Sequence, residues 1–151
     1  MYATVSKRLI NIAAAVIAGA CILMNAAPSE AANKIVARVS ISEQRMEVIV
    51  DGRTTFEWKV STGGKGYVTP TGSFKPTRMH EMWYSKTYDN APMPHSVFFH
   101  EGYAVHATNA IKRLGQPASH GCIRLHPNDA EDFYTLVQTF GPSNTSIVIV
   151  N

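Results

Sequence analysis

Cysteine is scarce in this chain: there are two among 151 residues, Cys21 and Cys122. One pair allows at most one internal disulfide, which excludes a disulfide-stapled scaffold. Charge is scarce as well, at 17% of residues. The 14 basic side chains are scattered among 11 acidic ones and leave a formal net charge of +3. No basic run forms a phosphate-tracking stripe, so nucleic acid is not an expected partner. There is no glycine period and no repeat at solenoid spacing. At 45% apolar, the chain is too apolar and too weakly charged to stay disordered. Its length fits a single domain.

Long apolar runs are also missing, with one short exception. Lys7 and Arg8 precede an apolar stretch from Leu9 to Met24, and Ser29-Glu30-Ala31-Ala32 follows. A charged start, an apolar middle and a small-x-small site are the parts of a secretory signal cleaved after Ala31. The apolar stretch is short for a membrane span, which needs about 20 residues. Two other readings are an uncleaved anchor and lipidation at Cys21, which follows Ala18-Gly19-Ala20. The organisation expected is therefore a signal peptide over 1–31 and one domain over 32–151, exported to the periplasm or cell envelope. Losing Lys7, Arg8 and Glu30 takes the formal charge from +3 to +2, too little for strong electrostatic steering. The exported chain then holds one unpaired thiol, Cys122. In an oxidising compartment that is either a buried inert cysteine or a reactive group.

What is present is mostly β pattern. Ile35–Ile41 shows loose apolar alternation, and Met46–Val50 leads into Asp51-Gly52. An Asp-Gly pair between two such runs predicts a hairpin whose turn needs positive φ. The return strand is Thr54–Val60. Ser61-Thr62-Gly63-Gly64-Lys65-Gly66 reads as a flexible glycine loop; its spacing does not fit a phosphate-binding P-loop. Lys75–Pro94 has no clear period and is rich in Met, Trp, Tyr and Pro, which predicts an irregular but ordered flap. Val97–Phe99 and Tyr103–Val105 read as short buried strands. Ala130, Phe133, Val137 and Phe140 recur at helical spacing, Asn128 with Glu131 resembles a capping box, and Gly141-Pro142 stops the helix. Thr145–Val150 closes the chain as a strand. The fold class expected is mainly β, sandwich-like, with one principal helix near the C-terminus.

The chemistry-bearing residues are His106 and Ser119-His120-Gly121-Cys122. A thiol becomes a strong nucleophile when a base removes its proton, and imidazole suits that task. His106 and His120 are both candidate bases. His120 stands two residues before Cys122, on the same face of an extended segment. His106 reaches Cys122 only if its strand neighbours the cysteine segment. Gly121 lets the backbone turn before the thiol, and the Gly121 and Cys122 amides can hold an oxyanion. Arg124 carries a planar fork suited to a carboxylate. A reading of a different class takes Cys122 with His95, His100, His106, His120 and His126 as soft metal ligands, in a metal-binding or wall-binding module without catalysis. No close Cys-x-x-Cys or His-x-x-x-His spacing supports a metal, and neither metal nor cofactor is expected.

The segment His106-Ala107-Thr108, with Leu114-Gly115-Gln116-Pro117-Ala118-Ser119-His120-Gly121-Cys122-Ile123-Arg124-Leu125, resembles the active-site signature of the L,D-transpeptidase catalytic-domain family. The stretch from Ser61 to Phe74 resembles that family too, and the similarity runs from about Ile35 to Val150. The resemblance implies a β-sandwich-like domain and a cysteine peptidoglycan transpeptidase. In family terms Cys122 is the nucleophile and His106 the general base, and the backbone carbonyl of Ala107 orients the imidazole. The Gly121 and Cys122 amides correspond to the oxyanion hole. Ser119 and His120 match positions near the substrate pocket, with Arg124 beside them.

The reaction implied is acyl transfer in two steps. Cys122 attacks the carbonyl of the third stem-peptide residue, D-alanine leaves, and a thioester remains. An amine of a second stem peptide then resolves it to a 3→3 cross-link. Water as acceptor makes the same site a carboxypeptidase or endopeptidase, and a lysine of an envelope protein makes it an anchoring enzyme. The partners implied are peptidoglycan stem peptides, with an envelope protein as the alternative acceptor.

Overall fold

The computed structural model describes residues 34–151. The signal-peptide reading of 1–31 and the lipidation reading of Cys21 fall outside the described residues. Within them the chain forms two sheets and one α-helix. The first strands are β1 (Ile35–Ser40), β2 (Arg45–Val50) and β3 (Arg53–Lys59). A short β4 (Gly72–Phe74) follows, then β5 (Arg78–Ser85), β6 (Ala91–His100), β7 (Tyr103–Ala107) and β8 (Ile123–Leu125). Helix α1 (Pro127–Phe140) and β9 (Thr145–Val150) complete the fold. One sheet has the order β3-β2-β1-β9-β4 and the other β5-β6-β7-β8. Among the described residues no helix is long and apolar enough to cross a membrane.

Period-two alternation explains the strands. Ile35, Ala37 and Val39 of β1 are buried, as are Ile147 and Ile149 of β9, which runs parallel to it. Met46 and Val48 of β2 join them. From the other sheet come Val97, Val105, Ala107, Ile123 and Leu125, and from α1 come Ala130, Phe133 and Val137. All belong to one apolar cluster, so the sheets and the helix share a core. The Asp51-Gly52 turn has φ of 50° and 78°, the positive values a type I′ hairpin turn requires.

Three expectations are corrected. Lys75–Pro94 is not an irregular flap: most of it is the β5–β6 hairpin, with Arg78 opposite Phe98 and Ser85 opposite Ala91. Its pattern is broken where His95 takes a left-handed φ of 51°, so apolar residues on either side of the break fall on the same face. Asn128 is not the helix cap. His126 holds that place, its Nδ1 accepting the Asn128 amide at 3.3 Å, and Pro127 opens the helix. The Ser61–Gly66 loop is not loose either. Ser61 and Thr62 are buried, and Ser61 exchanges backbone hydrogen bonds with Arg124 at 3.0 and 2.9 Å.

Candidate active site

The parallel pairing of β7 with β8 places Val105 opposite Ile123, His106 opposite Arg124 and Ala107 opposite Leu125. Alternation then sorts the side chains. Val105, Ala107, Ile123 and Leu125 point into the core. Ala104 and His106 take the other face, together with Cys122 and Arg124. His106, His120, Cys122 and Arg124 all line one cavity of about 700 Å³. The hairpin also lines it, through Tyr88, Pro92, Met93 and Pro94. The cysteine also packs against a small apolar cluster of Met93, Phe98 and Ala104.

His106 is 6% exposed, and its Nδ1 lies 2.7 Å from the Ala107 carbonyl oxygen. A carbonyl can only accept, so Nδ1 carries the proton and donates, leaving the Nε2 lone pair free. Burial lowers this imidazole to about 4, against the Ala107 hydrogen bond, and the Arg124 charge pushes the same way. Burial pushes the Cys122 thiol up from its usual range, against a hydrogen bond with the Ala104 backbone and the Arg124 charge. Both shifts favour the uncharged forms. The resting pair is therefore a thiol and a neutral imidazole, not a thiolate and an imidazolium.

The loop carrying the cysteine is held by hydroxyls. Ser119 is 1% exposed; its Oγ donates to the Cys122 carbonyl at 2.6 Å and accepts the Gly121 amide at 3.0 Å. Thr69 Oγ1 donates to the Gly121 carbonyl at 2.9 Å and accepts the Gly63 amide at 2.8 Å. The Thr62 carbonyl accepts the amides of Ala118 and Ser119, each at 2.9 Å. Thr62 is itself tied to Gln44, whose Oε1 accepts the Thr62 amide at 3.0 Å. Gly121 has φ of 113°, and a Cβ there would meet the Tyr103 ring at 2.4 Å and the Val68 carbonyl at 2.7 Å. Only glycine fits that point.

Each residue singled out from the sequence has a definite place. Cys122, His106 and Arg124 are brought together on one face, and Ala107 bonds the imidazole through its carbonyl. His120 lies apart from that pairing, packed between the rings of Tyr67 at 4.4 Å and Tyr88 at 4.1 Å. Arg124 donates through Nη1 to the Ala118 carbonyl at 3.2 Å and makes no ion pair among the described residues. Two expectations shift. The Gly121 amide is occupied by Ser119 Oγ, so the amide free to meet an oxyanion is that of Cys122, which makes no hydrogen bond among the described residues. Ser119 does not line the cavity; both hydroxyl functions are spent inside the loop, which makes it a positioning residue instead of a substrate contact. Sequence reasoning missed Gln44, Thr62 and Thr69. Their defining partners are distant in sequence, 18 residues for Gln44 with Thr62, 52 for Thr69 with Gly121 and 57 for Thr62 with Ser119, which no local pattern reveals. No group of three metal-ligating side chains exists among the described residues.

The sequence model of the L,D-transpeptidase catalytic domain (YkuD) matches residues 34–149. No protein of curated function matches the chain. Several solved structures share the fold. An L,D-transpeptidase from Stackebrandtia nassauensis is 26% identical with a TM-score of 0.67, the match covering 78% of this chain and 56% of that one. An L,D-transpeptidase from Mycobacterium tuberculosis H37Rv is 24% identical with a TM-score of 0.70, covering 79% of this chain and 58% of that one. L,D-transpeptidase 3 from Mycobacterium tuberculosis, in complex with a faropenem-derived adduct, is 23% identical with a TM-score of 0.68, covering 79% and 61%. The chain spans less than two thirds of the length of each.

Proposed function

The chain belongs to the L,D-transpeptidase catalytic-domain family, and from that premise we propose that it is an exported cysteine acyltransferase acting on peptidoglycan stem peptides. The observation that supports this reading is the alternation on β7 and β8. It sets Cys122 and a tautomerically fixed His106 on one face, open to a cavity large enough for a peptide.

The resting thiol is neutral, so proton transfer accompanies attack. The Cys122 Sγ–H proton passes to His106 Nε2 as the sulfur bonds to the third stem-residue carbonyl carbon. The oxyanion that forms is met by the Cys122 amide. The Ala107 carbonyl holds the imidazolium in place through Nδ1–H. Collapse breaks the bond to D-alanine, whose nitrogen takes the proton from Nε2, and a thioester remains. A second amine attacks it and gives its proton to Nε2. Collapse of that intermediate expels the sulfur, which regains a proton from the imidazolium. Arg124, on the same face and free of any acid partner, is placed to hold a substrate carboxylate. Incubation with purified disaccharide-tetrapeptide, read by mass spectrometry, tests the reading. Cross-linked dimer with release of D-alanine is the expected product. Tripeptide alone would reassign the acceptor to water, and unchanged substrate would contradict catalysis.

A further inference from the structure

Charge is uneven along this chain, and the fold concentrates it. Residues 58–80 hold Lys59, Lys65, Lys75 and Arg78 and no acid. Residues 102–128 hold Lys112, Arg113 and Arg124 and no acid. The rest of the described chain carries five lysines and arginines against ten carboxylates, which is why the net charge is small. Backbone hydrogen bonds lay the two acid-free segments side by side. The Gly115 amide donates to the Val60 carbonyl at 2.8 Å, and the Gly64 amide to the Ser119 carbonyl at 2.9 Å. Two of the cations are engaged elsewhere: Lys75 Nζ donates to the Ser143 carbonyl at 2.9 Å, and the Arg78 guanidinium lies 3.8 Å from the Phe98 ring centroid. Lys59, Lys65, Lys112 and Arg113 are exposed and make no ion pair or side-chain hydrogen bond among the described residues. Glu57, the acid nearest Lys59 in sequence, is paired with Arg45.

These four cations follow the 110–118 segment, and both ends of that segment meet the cavity. At one end Asn109 and Ala110 line it, and Ile111–Arg113 continues from them as a turn of 3₁₀-helix. At the other end the Ala118 carbonyl holds the Arg124 guanidinium, which also lines the cavity. Between them a Cβ on Gly115 would lie 3.9 Å from Lys59 Cδ, and one on Gly64, beside Lys65, 3.3 Å from the Ala118 Cα. Surface charges act over about 8 Å in physiological salt, so cations spread along a loop need not converge on one atom to attract a polyanion. The cavity takes a single stem peptide; a polymeric wall presents further stems, with free carboxylates, outside it. We infer that Lys59, Lys65, Lys112 and Arg113 form an anion-binding track that docks the carboxylates of neighbouring stem peptides when the substrate is polymeric. This inference deepens the proposed function and rests on it.

Binding to insoluble peptidoglycan tests the track. The full chain carrying Cys122→Ala is sedimented with sacculi stripped of phosphodiester polymers, so binding is read without turnover. The comparison probes are the same sacculi with their carboxylates converted to amides, and untreated sacculi that keep their phosphodiester polymers. Lys65→Gln, Lys112→Gln and Arg113→Gln together should weaken binding to the stripped sacculi about three- to thirtyfold, and the loss should shrink as salt is raised. Lys34→Gln, Arg38→Gln and Arg53→Gln remove the same charge elsewhere, with Arg53 at the end of β3 opposite Lys59, and should cost less than about twofold. On amidated sacculi the parent and the track variant should bind alike. Lys65→Glu, a single exposed substitution, repeats the test if the triple variant does not fold. Equal binding of parent and track variant to stripped sacculi, equal losses in the two triple variants, or a loss that persists on amidated sacculi overturns the track. A loss seen only with untreated sacculi assigns these cations to phosphodiesters and overturns it as well. Absence of any acyl-enzyme in the parent chain with soluble tetrapeptide would instead overturn the proposed function, while sedimentation still decides the track.

Discussion

In the five-stranded sheet, β1 turns Ile35, Ala37 and Val39 inward and leaves Arg38 in solvent. In the four-stranded sheet, β7 and β8 turn Val105, Ala107, Ile123 and Leu125 inward by the same alternation, yet their outer face borders a cavity that the β5–β6 hairpin also lines. A polar residue on the outer face of β1 pays nothing for its place. On the outer face of β7, His106 is buried, loses its charge and keeps one fixed tautomer. The pleat is common to both sheets; what sets this face apart is the burial of its polar residue, His106.

That contrast can be broken at the imidazole first. Replacing His106 with glutamine should slow acylation by about 10²- to 10⁴-fold, the usual contribution of a positioned general base. The same change to His120, held between two tyrosine rings, should cost far less. A larger loss at His120 would reassign the base.

Gly121 comes next. Gly121→Ala puts a Cβ within 2.4 Å of the Tyr103 ring at a φ of 113°. Overlap and backbone strain together should cost about 3 kcal/mol or more. Chemical denaturation measures this, and a loss below about 1 kcal/mol would show that the loop relaxes freely.

Stability against pH sharpens the burial argument. His106 titrates at about 4 in the fold and at 6.5 when exposed, so the unfolded chain takes the proton first. The His106 contribution is complete above pH 6.5 and is lost as pH falls towards 4. It amounts to about 3 kcal/mol over that window. The parent chain should lose this much more than His106→Gln between those pH values, and equal losses would mean the ring is not desolvated.

The smallest effect is expected at Arg124. Lysine keeps the charge and loses the fork, so Arg124→Lys should lower turnover of tetrapeptide about tenfold. The melting temperature should barely move, because the guanidinium contributes one exchangeable bond to the Ala118 carbonyl. A fall in melting temperature with normal turnover would make Arg124 a purely structural residue.

Much of the fold was legible because burial imposes a period. β1, β2, β3, β9 and the apolar stripe of α1 were readable to within a residue or two. The hairpin was not, since two prolines and a left-handed His95 interrupt its alternation. The candidate site residues were legible in the motif around Cys122, and the His106 ring does meet the Ala107 carbonyl oxygen. The direction of each polar group was not. Ser119 stands where a substrate contact was expected, but burial and two short hydrogen bonds turn its hydroxyl into the loop. The choice between His106 and His120 was open to local reading, because it depends on the strand pairing that sets His106 opposite Arg124, 18 residues further on. The hydroxyl supports Thr62 and Thr69 depend on still more distant partners.

The central claim is that Cys122 carries the acyl group. Intact-mass measurement of the full chain with tetrapeptide donor, followed by peptide mapping, tests it directly. A single adduct with the mass of the donor less D-alanine, mapped to Cys122 and absent from Cys122→Ala, is the result predicted. An adduct of unchanged yield on Cys122→Ala, or cross-linked product formed by that variant, would contradict it.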